Sequence, residues 1–223
     1  MLGVVAVKRK STKRSAAKPA KLRARATPVA GAAVIELEKI AFETAAEWRR
    51  WLERNHGSSP GVWVRFAKKN SSVRSITYLE AVDGALRWGW IDGQSKPLDD
   101  QSWLQRYTPR RARSIWSKIN RDKALALIER GEMKAPGLAE IERARGDGRW
   151  DAAYDSPKNA AVPEEFAKAL ASKPRAAAFY AKLNAANRYA ILWRLQTAKR
   201  PETKKKRIEQ FIAMLLRGEK LHP

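Results

Sequence analysis

The residues best equipped for chemistry crowd into one stretch. Trp88, Trp90, Asp92, Gln94, Asp99, Asp100, Gln101, Trp103, Arg106, Arg110, Arg111, Trp116, Ser117 and Asn120 follow one another within about thirty positions. Indole faces beside carboxylates, amides and guanidinium groups have the makeup of a small-molecule pocket, in which apolar walls surround a few polar groups that orient the ligand. Read as a strand, 90–94 sends Trp90, Asp92 and Gln94 to one side and so lines one wall. Arg110 and Arg111 can clamp a carboxylate or phosphate, because guanidinium binds such oxygens in a two-pronged fork. The expected ligand is therefore a small anion. The same residues also admit a purely structural reading: Asp92-Gly93 shapes a turn, Arg110 and Arg111 pair with Asp99 and Asp100, and the tryptophans fill a core.

Catalysis has weaker support than binding. Asp92 with Asp99 or Asp100 could form an acid–base pair, and Asp92 with Asp100 carries the alternative of a hydrolase-like enzyme. Ser117 has no nearby histidine to activate it, and Lys118 is a weak substitute. Gly89 and Gly93 are isolated, so no glycine-rich phosphate cradle is present. The chain has no Cys, which excludes disulfides, thiolate metal ligands and a cysteine nucleophile. Its two histidines, His56 and His222, cannot make a His-rich metal centre. No metal and no cofactor is expected, and no residue is singled out as catalytic.

Charge points to a second kind of partner. The 223 residues carry 46 Lys+Arg against 23 Asp+Glu, a formal net charge of +23. Residues 1–33 hold Lys8, Arg9, Lys10, Lys13, Arg14, Lys18, Lys21, Arg23 and Arg25 with no acid and no aromatic residue. Such a segment cannot bury enough surface to offset its ordering entropy and is expected to stay disordered. Its cations suit polyanions, DNA or RNA, held through phosphates without base reading, or anionic lipid held weakly. The segment accounts for +9, which leaves +14 on the rest. No apolar run approaches the ~18 residues of a membrane span. Leu2–Val7 is short and precedes the basic run, the reverse of a secretory signal, so a cytoplasmic location is expected.

The elements that must position the cluster follow from local signals. Thr44 with Glu47 makes a capping box ahead of Trp48, Trp51 and Leu52 at helical spacing. His56–Gly61 breaks that helix, and Val62–Phe66 alternates as a strand with Val62, Val64 and Phe66 on one face. Thr77 with Glu80 opens a second helix that should end near Gly89. Strands at 90–94 and 102–107 with Pro97–Asp100 between them predict a hairpin. Asn120 is expected to cap a helix running to Gly131, with another at 136–146. Helices at about 163–172, 174–183, 185–198 and 201–217 follow, with Pro163, Pro174 and Pro201 suited to first turns. The expectation is an α+β protein: a disordered basic tail at 1–33, a small helix and antiparallel-strand unit at 34–120, and a mainly α-helical unit at 121–223 packed against it as one body.

Short motifs in fixed order carry a resemblance. Trp88–Gly93, Asp99–Trp103, Tyr107–Arg111, Ser114–Asn120, Ala153–Pro157 and Thr197–Thr203 together resemble the YdeI/OmpD-associated family over about 42–222. The resemblance implies a bacterial protein linked by the family's names to bacteriocin protection and envelope-stress tolerance. It implies no established reaction, and the segment 1–33 has no counterpart in it.

Overall fold

Two capping boxes fix where the first helices start. In the computed structural model, which describes residues 36–223, Thr44 Oγ1 accepts from Glu47 N at 3.3 Å while Glu47 Oε2 accepts from Thr44 N at 3.4 Å. Thr77 and Glu80 repeat the arrangement. Helices α1 (Ala45–Asn55) and α2 (Tyr78–Arg87) follow from these caps. The cationic residues assigned to a tail at 1–33 lie outside the described residues.

Around the two helices the chain builds a four-stranded sheet. Strands β1 (Lys39–Ala41), β2 (Val62–Ala67), β3 (Trp90–Pro97) and β4 (Ser102–Pro109) lie in the order β1-β2-β4-β3. The body thus opens with a strand and not with a helix, and β1 runs parallel to β2 while the other pairs are antiparallel. Three residues are too few to show an alternation, so β1 leaves no local signature. Strand β2 alternates as expected: Val62, Val64 and Phe66 are buried, and Trp63 and Arg65 stand on the other face. The register sets Val62 opposite Tyr107, Val64 opposite Gln105 and Phe66 opposite Trp103, so these share the face that α1 and α2 cover. Phe66 and Trp103 stack at 4.8 Å between ring centroids.

The hairpin is longer than its local signals indicate, and it is irregular. Asp92 pairs with Tyr107 but Ser95 pairs with Gln105, so β3 spends three residues where β4 spends two. This bulge falls at Gly93-Gln94, and Gly93 O accepts from Gln105 Nε2 at 2.8 Å.

Six helices complete the chain: α3 (Lys118–Glu129), α4 (Ala135–Gly146), α5 (Glu164–Ala171), α6 (Pro174–Lys182), α7 (Ala185–Gln196) and α8 (Pro201–Leu216). Pro174 and Pro201 sit in first turns, while Pro163 is the residue just before α5. The cap of α3 is Ser117, whose Oγ accepts from Asn120 N at 3.1 Å, so Asn120 is the third helical residue and not the cap. A serine hydroxyl reaches the third amide from a cap position, whereas a side chain inside the first turn does not.

Two apolar clusters result. One joins α1, α2 and the covered sheet face to Trp116, Ala124, Leu127, Ile141 and Trp150. The other lies among α5, α6, α7 and α8, around Phe166, Ile191, Leu195, Ile208, Phe211 and Leu215.

Candidate ligand-binding site

The segment joining these clusters is stapled at both ends. Tyr154 N donates to Trp116 O at 3.0 Å and Lys118 N donates to Tyr154 O at 2.9 Å, a parallel bridge between Ser117 and Tyr154. On the other side Gln196 Oε1 accepts from Asp155 N at 2.9 Å, and Tyr189 donates its hydroxyl to Asp155 O at 3.0 Å. An ion pair between Lys118 and Asp155 at 2.7 Å closes the junction.

A cleft of about 300 Å³ opens beside that junction. Helix α2 contributes Tyr78, Leu79 and Val82; β3 contributes Asp92; α3 and its cap contribute Ser117, Ile119, Asn120 and Lys123. The 154–157 segment adds Tyr154, Ser156 and Pro157, and α7 adds Tyr189. Its rim is unusually apolar for an exposed surface: Leu79 is 61% exposed, Ile119 49% and Tyr78 41%.

Asp92 is the polar centre. The register puts it on the helix-covered face beside Tyr107, and its Oδ2 accepts from the Tyr78 hydroxyl at 2.7 Å. Burial, reinforced by the Asp92 charge, pushes the phenols of Tyr78, Tyr107 and Tyr154 above their ordinary range. Ionising any of them would place a second negative charge near the carboxylate in a poorly solvated site. All three therefore remain hydrogen-bond donors. The Lys123 ammonium, which also lines the cleft, is tied to Asp83 at 2.5 Å.

Tyr107 supplies a test of this electrostatic environment. Its ring is fully buried and its hydroxyl has no partner in the described residues. In the unfolded chain the phenol ionises around 10.0, in the folded protein only well above it. Its protonated form is favoured by folding, so its contribution to stability is whole below pH 10 and is lost as pH rises beyond it. Tyr107→Phe should flatten the alkaline fall of the denaturation midpoint without lowering stability at pH 7. A variant that falls as steeply as the parent would remove Tyr107 from the account.

Of the fourteen residues in the candidate cluster, the structure brings three to this cleft: Asp92, Ser117 and Asn120. Trp90 shares the Asp92 face but is sealed in the core, its Nε1 donating to His56 O at 3.1 Å. Trp88 follows α2 and packs on His56 at 4.1 Å, and Trp103 stacks on Phe66. Gln94 does not share the Asp92 wall, because the bulge breaks the alternation there and leaves it exposed. Asp100 and Gln101 are exposed in the turn beyond β3, where Asp99 Oδ1 accepts from Gln101 N and Ser102 N. Asp92 and Asp100 thus stand toward opposite ends of the hairpin and form no acid–base pair. Arg106 pairs across from Trp63, on the sheet face away from Asp92.

Arg110 and Arg111 form no clamp either. Arg111 is exposed, whereas Arg110 is 5% exposed and lies over the Trp116 ring at 3.6 Å. Neither pairs with Asp99 or Asp100. Burial lowers the Arg110 guanidinium to about 10, which leaves it charged at neutral pH.

Sequence reasoning missed Tyr78, Leu79, Val82, Ile119, Lys123, Tyr154, Ser156, Pro157 and Tyr189 as lining residues. For Tyr154, Ser156 and Pro157 a signal existed in the Ala153–Pro157 motif. For Tyr189, in the middle of α7, none did.

Comparison with known families divides the body. Residues 159–218 match the family described as Bacteriocin-protection, YdeI or OmpD-Associated. Residues 40–140 match a Domain of unknown function (DUF8412). Of the six motifs, Thr197–Thr203 falls in the first match, the four between Trp88 and Asn120 fall in the second, and Ala153–Pro157 falls between them. No curated protein and no solved structure matches the chain.

Proposed function

We infer, from the match of residues 159–218, which hold helices α5 to α8, to the family described as Bacteriocin-protection, YdeI or OmpD-Associated, and from the cleft beside them, that the chain works by binding a small molecule and not by transforming one. The observation that carries this reading is the convergence on Asp92. A carboxylate and protonated phenols line a cleft whose rim exposes Leu79, Ile119 and Tyr78. Such a site grips an apolar body and fixes it by one strong hydrogen bond. The phenols offer no base, and the nearest carboxylate already accepts from Tyr78.

The ligand this cleft fits is neutral. The arginines that would clamp an anion do not line it, and its one lysine is already paired. A cation is disfavoured by the positive field of the whole chain. What remains is a small molecule that offers N–H or O–H to Asp92 and an apolar face to Leu79, Val82 and Ile119. Benzamide and benzyl alcohol are suitable probes. In NMR titrations their shifts should map to α2, α3 and the 154–157 segment. Asp92→Asn should weaken binding roughly tenfold or more, since a hydrogen bond to a charged group is worth about 1.5–3 kcal/mol. Equal affinity in the variant, or shifts confined to another surface, would sink the reading.

A further inference from the structure

On the far side of Tyr154 lies a second, smaller cavity, about 180 Å³, lined by Arg149, Tyr154, Gln196, Thr197 and Lys199 among others. It is smaller than the cavities that take drug-sized ligands, and suits an ion or one terminal group of a larger molecule. Its charge is lopsided. Arg149 is 5% exposed; its Nε donates to Asp147 at 2.7 Å and its Nη1 to Ser114 O at 2.6 Å, while Nη2 has no partner. Arg110 is held one residue along the same strip of backbone, its Nη1 donating to Ile115 O at 3.1 Å. Its Nε and Nη2 have no partner, and no carboxylate pairs with it among the described residues.

Two buried guanidinium groups thus hold consecutive carbonyls, and the Arg149 charge reaches Arg110, although only Arg149 lines the cavity, with Lys199 at its wall. Asp147, 46% exposed, is the one carboxylate in direct contact with any of them among the described residues. Like charges buried together repel through a poorly screening medium, and an unpartnered buried N–H adds its own desolvation cost. An anion in the cavity would offset the repulsion and offer Arg149 the partner it lacks. Gln196 is already arranged for this: its Oε1 is taken by Asp155 N, so the group left for a ligand is the amide NH₂, a donor.

We propose that the cavity between the 149–154 segment and the end of α7 is a binding site for a small tetrahedral oxyanion of the phosphate class, received by Arg149, Gln196 and Lys199 and neutralising the Arg110–Arg149 pair. This site shares the Tyr154 wall with the Asp92 cleft but does not rest on the reading of that cleft. The anion is either free phosphate or the terminal group of a phosphomonoester.

The test uses the full chain, inorganic phosphate as the probe and chloride at matched ionic strength as the reference. Phosphate should raise the melting temperature above the chloride reference and bind measurably by calorimetry. Lys199→Ala and Arg149→Lys should each weaken phosphate at least tenfold. The second keeps the charge and loses the fork, so it separates geometry from net charge. Lys206→Ala, an exposed lysine on α8 outside the cavity, removes the same charge and should change affinity less than twofold. If Arg149→Lys fails to fold, the comparison of Lys199→Ala with Lys206→Ala decides alone. Equal weakening in those two, or no preference for phosphate over chloride, would overturn the site. Glycerol 3-phosphate identifies the source: tighter binding than phosphate marks a phosphomonoester, equal or weaker binding marks the free ion, and either supports the site.

Discussion

Trp48→Ala should destabilise the protein by about 3–5 kcal/mol, the range for removing a large buried aromatic side chain. The indole is fully buried, and its Nε1 donates to Ala81 O at 3.0 Å, joining α1 to α2. It stacks on Trp51 at 5.4 Å and meets Phe42 and Tyr107 at 5.1 and 5.5 Å. Helix α2 makes room for it with Gly84, where a Cβ would come within 2.6 Å of the ring. A glycine in a helix costs about 1 kcal/mol against alanine, so the fold accepts that cost to seat this one side chain. The cavity left by the truncation is walled by a sheet and two helices, which limits collapse. Trp48→Phe should lose roughly 1–2 kcal/mol, since it keeps most of the packing and gives up the hydrogen bond. Urea denaturation followed by far-UV circular dichroism measures both. A loss below about 1 kcal/mol for the alanine variant would mean that the pocket closes over the gap, contrary to the rigidity of a close-packed interior.

The same contact shows what local sequence can and cannot convey. The α1 and α2 caps were legible because a capping box is complete within four residues, and the alternation of β2 because it needs only six. Strand β1 was not legible, since its three residues become a strand only by pairing with Trp63–Arg65 some twenty-four positions later. The hairpin was legible as a hairpin, but its bulge was not. Gly93 inside a strand pattern is a hint of irregularity, yet nothing local says that the extra residue takes Gln94 out of the Asp92 wall.

The site divides along the same line. Asp92, Ser117 and Asn120 belong to one dense motif and do converge. The phenols of Tyr78 and Tyr189 arrive from α2 and α7, about one hundred and eleven positions apart, and only the tertiary fold assembles them. Adjacent arginines are the sharper case. Arg110 and Arg111 look equivalent in sequence, but the end of β4 turns one under Trp116 and leaves the other in solvent. Arg149, which with Arg110 makes the interior cationic, carries no motif that would have singled it out. Residue type stated what each group could do; the fold decided which groups would meet.

Gly89→Ala is expected to cost about 3 kcal/mol or more, from two sources that can be separated. Gly89 ends α2 in the left-handed region, at φ +71, as its position after the helix leads one to expect. A side chain there costs roughly 1–2 kcal/mol from backbone strain alone. A Cβ would also lie 2.9 Å from Pro136 O and 2.8 Å from Glu140 Cγ. The Glu140 side chain can swing aside, but the Pro136 carbonyl belongs to the start of α4 and cannot move without that helix. Overpacking of this kind adds about 1–3 kcal/mol. Gly131→Ala supplies the control, because Gly131 has φ +67 and a methyl group added there would meet nothing within 4 Å. It should lose only the strain, about 1–2 kcal/mol. In a chain of this size each kcal/mol lowers the melting temperature by roughly 2–4 °C, so calorimetry resolves the two variants. Gly89 O accepts from Arg110 N at 3.0 Å, so a shift of this turn also moves the buried guanidinium and the interior charge it carries. Equal losses in the two variants would show that α4 yields freely at Pro136, and the contact between α2 and α4 would then have no part in fixing Arg110.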